Sequence, residues 1–147
     1  MKTCNWYQKL TQKLSNLKDL PLLFFRLILA YGFYTPAMMK WGNISGIAEW
    51  FGSIGIPFPT LNAYMAASTE IAAVILLPIG LATRIISIPL IITMVVAIVT
   101  VHGGNGFEAG NNGFEIPLYY ILMLFALLVN GAGKISLDNI ISRKLRS

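Results

Sequence analysis

Charge is what this chain has least of. Only 12% of its 147 residues are charged, against 56% hydrophobic, where a soluble domain carries about 25% charge. Mean hydropathy is +0.68, and that balance excludes an ordinary water-soluble domain. Cysteine is nearly missing: Cys4 stands alone, which rules out an intramolecular disulfide and any cysteine-rich metal site. Histidine is equally scarce. His102 is the sole one, so no HxxxH or three-histidine set exists, and no CxxC accompanies it. There is no phosphate loop, dinucleotide fingerprint, nucleic-acid motif or nucleophile arrangement. The first 20 residues are polar and lack the apolar core of a cleavable signal peptide, so the first apolar span is expected to serve as its own anchor. The net charge of +5 does not point to nucleic acid. The basic residues gather at the two ends, beside apolar spans, where they suit a membrane surface.

What is present is a set of long apolar runs. The length fits one domain over residues 1–147. The pattern predicts an all-α fold, a four-transmembrane-helix bundle with short interfacial helices. Its spans are residues 21–39, 61–82, 85–101 and 116–132, each long enough to cross a bilayer. Residues 1–20 form a basic amphipathic segment with Trp6, Leu10, Leu14 and Leu17 at helical spacing, and 133–147 form a basic tail in which Ser136 can cap a last helix. Between the first two spans, Ile44, Ile47, Ala48, Phe51 and Ile54 make an apolar stripe. This predicts a short helix capped by Asn43 and lying on the bilayer, with Trp41 and Trp50 at the interface. The second long loop, 102–115, repeats Asn-Gly-Phe-Glu at 105–108 and 112–115, and its Asn-Gly pairs demand turns with positive φ. The two ends and the 83–84 turn hold four, four and one basic residues, whereas the two long loops hold only Lys40. The positive-inside rule therefore predicts an inner-membrane protein with both termini cytoplasmic.

The candidate chemistry is set by depth. Glu70 lies about 14 Å below the outer end of its helix and about 18 Å above the inner end. An ionisable group there costs roughly 2.5–3.5 kcal/mol and normally faces a bundle interior. Ala63, Ala66, Ala67 and Ala73 share its face and permit close helix approach. Glu70 is either a structural buried acid or a proton carrier. Tyr31, Tyr34 and Thr93 fall at comparable depth, and Tyr31, Tyr34 and Glu70 are the candidates for holding a cofactor. Arg26 is about 10 Å nearer the cytoplasm, and shares a face with Phe33 and Lys40 at a spacing of seven. Two roles are open to it: snorkelling to headgroups or pairing with a polar group inside the bundle. His102, Glu108 and Glu115 sit close in sequence on the outer loop and are weak metal-ligand candidates; turn and capping roles suit them better. Glu70, Arg26, Tyr31 and His102 are the catalytic candidates.

Particular segments carry a resemblance. RLILAYGF (Arg26 to Phe33), GIPFP (Gly55 to Pro59), Thr69–Glu70, GLATR (Gly80 to Arg84), VHGGNGF (Val101 to Phe107) and GAGKISLD (Gly131 to Asp138) resemble the DoxX family of four-helix bacterial inner-membrane proteins over roughly residues 20–138. PAMMKW, EWFGSIGIPFPTLNAY and AGNNGFEIPLYY look like its HvfX branch. That branch accompanies operons making copper-binding modified peptides, together with multinuclear non-haem iron enzymes. Some members of the wider family are subunits of thiosulfate:quinone oxidoreductases. The resemblance implies a redox accessory with a quinone, or a partner's cofactor, as its redox group, and with Arg26, Glu70 and His102 on family positions. No independent catalytic motif supports activity alone. A non-catalytic docking partner for membrane, periplasmic or cytoplasmic proteins is the alternative. A small transporter ranks below both, because Met38, Met39, Met65, Met94 and Met123 share no register.

Overall fold

The computed structural model describes residues 2–145, and the side chains of residues 2–5 and 16 lie outside that description. The side chains of Cys4 and Lys2, and all of Arg146, the last two among the basic residues counted above, are therefore outside it. Among the described residues the chain is helical with no strand. The order is α1 (Lys2–Asn16), α2 (Asp19–Gly42), α3 (Ile44–Ser53), α4 (Pro59–Ile79), α5 (Thr83–Ala97), α6 (Glu115–Asn130) and α7 (Leu137–Lys144). A π-helical turn, Ile98–His102, extends α5, and two single 3₁₀ turns follow in the loop to α6.

α2, α4, α5 and α6 pack in a ring, with α2 against α4, α4 against α5, α5 against α6 and α6 back against α2. Three helical stretches are long and apolar enough to cross a membrane: Trp6–Gly42, Pro59–Ile79 and Thr83–Asn105. α6 is equally apolar but, at 16 residues, falls short of that length. Outward faces carry Phe24, Ile28, Ile75, Ile88, Leu122 and Phe125, all exposed, as expected where the solvent is hydrocarbon.

The expected spans 21–39, 61–82, 85–101 and 116–132 fall on α2, α4, α5 with its π turn, and α6. The informative difference is at the end of α2. The sequence places Lys40 in a loop, but the helix runs through it to Gly42. Pro36 lacks an N–H and costs α2 one internal bond, yet it does not end the helix, because apolar neighbours on both sides continue the pattern.

Local rules account for the helix ends. Asn43 Oδ1 accepts from Gly46 N at 3.1 Å and starts α3. Ser136 Oγ accepts from Asn139 N at 3.2 Å and starts α7. α4 ends in a left-handed glycine, Gly80 at φ 68°: Gly80 N bonds Leu77 O at 3.1 Å and Leu81 N bonds Leu76 O at 3.0 Å, the Schellman arrangement. Asp138 then caps α5 from outside, accepting from Ala82 N at 2.8 Å and Thr83 N at 3.0 Å. A carboxylate at a helix N-terminus is favoured by the free N–H groups and by the helix dipole.

The two ends of the ring differ. Toward α7 the interior is filled: Leu29, Leu77, Leu90, Leu124 and Leu127 are all at 0% exposure and form one continuous core with Phe33 and Ala73. Toward α3 the helices surround a cavity of about 820 Å³.

Candidate functional site

The cavity lies between α2, α4, α5 and α6, under α3 and the 98–114 loop. Its walls are largely apolar, with polar groups from Lys40, Thr69, Glu70, Thr93, His102 and Tyr120. The Lys40 ammonium sits 2.9 Å from both Glu70 oxygens. The pair is nearly enclosed, with side-chain exposures of 17% and 2%. Helix α4 makes this approach possible because Ala63, Ala67 and Ala73 are at 0% exposure on the buried face, so no bulky side chain holds α2 away. A charge so placed is tolerable only when paired.

Tyr120 also lines the cavity, its ring edge-on to Phe33 at 5.3 Å. It fits because residue 32 is glycine: a Cβ there would collide with the Tyr120 hydroxyl. Neither the Tyr120 nor the Thr69 hydroxyl has a hydrogen-bond acceptor among the described residues. Two donors are thus left unused in an apolar enclosure.

His102 closes the π-helical turn and reaches the cavity lining. Its Nδ1 stands 2.8 Å from the Asn112 carbonyl. A carbonyl can only accept, so Nδ1 carries the hydrogen, and in the neutral ring Nε2 is left as an acceptor. Single π turns inside α-helices are uncommon and shift a side chain's direction. Around it the two loop repeats lie side by side. Phe114 N donates to Gly106 O at 3.1 Å and Glu115 N to Phe107 O at 3.0 Å. Phe107 and Phe114 meet edge-on at 5.5 Å. The positive φ values demanded by the Asn-Gly pairs appear at Gly106 and Asn112.

Glu70 and His102 of the sequence candidates meet the same cavity. The others do not. Arg26 lies in the filled half at 0% exposure, where it donates to Ile135 O at 2.6 Å, Leu77 O at 3.3 Å and Pro78 O at 3.4 Å. Its polar partners are backbone carbonyls, including two at the end of α4 that need donors. Tyr31 is 85% exposed and Tyr34 53% exposed; both face away from the cavity. Their expected depth matches that of Glu70, but neither is among the cavity-lining residues of α2. Glu108 and Glu115 support the loop: Glu108 Oε2 accepts from Asn111 Nδ2 at 3.1 Å, while Glu115 accepts from Ala109 N and the Tyr119 hydroxyl, each at 3.0 Å. Among the described residues, no three His, Cys, Asp or Glu side chains group to hold a metal. The sequence reading missed Lys40 as a partner of Glu70. The available signal was its shared face with Arg26 and Phe33.

The molecule is thus a helical membrane protein with one ion pair at the wall of an apolar cavity. The chain belongs to the DoxX family, whose model matches residues 21–103. A Haemophilus influenzae protein of no stated function is 33% identical over 83% of this chain and 83% of its own. The Bacillus subtilis protein CatD, named as a candidate oxidoreductase, is 32% identical over 82% of this chain and 86% of its own. The Mycobacterium tuberculosis membrane protein Rv3486 is 35% identical over 64% of each chain. No solved structure matches the chain.

Proposed function

We propose that this protein is a four-span inner-membrane redox accessory of the HvfX branch, with both termini cytoplasmic, which holds a quinone in the cavity beside Lys40 and Glu70. It serves a copper-binding-peptide maturation system together with a protein partner. The observation that carries the reading is the buried Lys40–Glu70 pair at the wall of an apolar cavity of about 820 Å³. That volume lies within the roughly 300–1,000 Å³ of small-molecule sites, which combine apolar walls with a few placed polar groups. A quinone matches the donor set, because its ring oxygens are acceptors and Lys40, Thr69 and Tyr120 are donors. When bound it would supply two-electron redox chemistry. The chain's own part is to hold the ring, exclude water and keep a carboxylate and an imidazole near it. The oxidoreductase name of CatD supports the redox direction. α6 supports a fourth span: its 16 largely apolar residues at 1.5 Å each reach about 24 Å, most of the hydrocarbon thickness of about 30 Å.

The test is cofactor content. Protein purified in mild detergent is extracted and its quinone and metal are measured per chain. Near-stoichiometric quinone in the wild type, lost in a folded Glu70→Gln variant, is expected. A folded wild type that retains no quinone refutes the reading. A periplasm-dependent reporter fused after Ser147 should be silent if the ends are cytoplasmic.

A further inference from the structure

Part of the cavity lining is also exposed. Met65 on α4 and Ile92 and Val96 on α5 belong to it, and they are 57%, 59% and 41% exposed. Trp50 on α3 and Ile116 on α6 also line the cavity and are 43% and 45% exposed, but only on α5 do such residues recur along one face. Ile92 and Val96 on α5 and Thr100 in its π-helical extension recur every four residues, and all three are lining and exposed, so they form one stripe. Asn62, Met65 and Thr69 form the facing stripe on α4.

The two helices are tied together at the far end only. There the Gly80–Ala82 turn joins them, and Asp138 binds the N-terminus of α5. Toward the cavity, no hydrogen bond or ion pair among the described residues links α4 to α5. α4 instead packs closely along α2, where the Lys40–Glu70 pair and buried alanines close the wall. Of the two other approaches, α5 packs closely along α6, and the one between α2 and α6 holds Tyr120, seated on Gly32.

We propose that the α4–α5 seam is a lateral doorway for a long-tailed amphiphile. The head lies inside, with its acceptor oxygens near Lys40 and the unused hydroxyls of Thr69 and Tyr120. The tail leaves between Met65 and the Ile92–Val96 stripe into the bilayer. The ligand class is a ring with acceptor oxygens bearing an isoprenoid chain. A water-soluble ligand of the same head chemistry has no need of an apolar gap in the lipid-facing wall. This inference rests on the quinone reading and adds the route and orientation of the ligand.

The experiment uses proteoliposomes loaded with a prenylated quinone, part of it carrying a photoreactive azide on the tail. After illumination the label is mapped by mass spectrometry, and retained quinone is measured for wild type, Ile92→Trp and Met65→Phe. The label is expected on Met65, Ile92 or Val96. Filling the seam is expected to reduce retained quinone about tenfold, equivalent to about 1.4 kcal/mol, with the thermal unfolding midpoint preserved. Should Ile92→Trp not fold, Met65→Phe carries the same reading. Label on α2, α6 or the 98–114 loop, with retention unchanged in the filled variants, overturns the doorway and leaves the quinone reading standing. Absence of quinone from folded wild type overturns both.

Discussion

Helix α2 places two basic residues on one face, Arg26 and Lys40, and both reach α4, yet the two halves of the bundle use them differently. In the filled half, Arg26 is spent on the backbone. Its guanidinium fork spans the carbonyls of Leu77, Pro78 and Ile135, and so ties the end of α4 to the segment before α7. In the open half, Lys40 has one partner, the Glu70 carboxylate, and a cavity beside it. A planar cation with several donors suits dispersed carbonyls, whereas a compact ammonium suits a single carboxylate. The difference teaches that a buried charge in an apolar helix is not by itself a site. Nor do unused donors set a site apart, since Arg26 Nε and the Thr83 hydroxyl in the filled half are buried without a partner; what separates the two is the empty volume next to the second.

The sharpest way to break this comparison is to remove Lys40. Lys40→Met leaves Glu70 buried without its cation, and losing one member of a buried pair costs about 3–5 kcal/mol. Unfolding in detergent should report that loss, and the double variant Lys40→Met/Glu70→Leu should recover most of it. Quinone retention should be lost in both. Recovery of retention in the double variant would mean that the pair is structural, like Arg26. Next comes Arg26→Met. It should cost roughly 1.5–3 kcal/mol, the worth of hydrogen bonds to a charged group, with quinone retained per folded chain unchanged. Loss of retention without loss of stability would place Arg26 in the site after all. A smaller effect is expected at Gly32→Ala. The new Cβ meets the Tyr120 hydroxyl, and the ring must shift, with the cavity beside it. A cost of about 1 kcal/mol, at the low end for overpacking, should come with weaker quinone retention, seen in the same assay.

The helices of the ring were legible in the sequence because long apolar runs leave few other solutions, although α6 is shorter than a full span. The caps at Asn43 and Ser136 were legible from local chemistry. Glu70 stood out because a lone carboxylate in an apolar run is costly. The cavity was not legible, since volume depends on how four helices splay, and the side chains lining it look like any apolar face. Lys40 was hidden by a boundary. Pro36 and the nearby Gly42 suggest an ending, and only the tertiary contact with α4 shows that the helix continues. Sequence depth, in turn, says nothing of azimuth. Tyr31 and Glu70 share a level, but α2 must be placed in the ring before its inward side is known.

The smallest expected effect follows from that last point. Tyr31 is 85% exposed, and its hydroxyl has no partner among the described residues. Tyr31→Phe removes one polar atom from an outward face and nothing from the cavity. Surface changes of this kind stay within about 0.5 kcal/mol, and retained quinone should equal that of wild type. Tyr120→Phe is the matched comparison: the same atom is removed from a tyrosine that does line the cavity, and retention should fall while the fold is kept. If Tyr31→Phe lowers retention and Tyr120→Phe does not, the ligand lies on the outer face of α2, and the contrast between the two halves no longer locates the site.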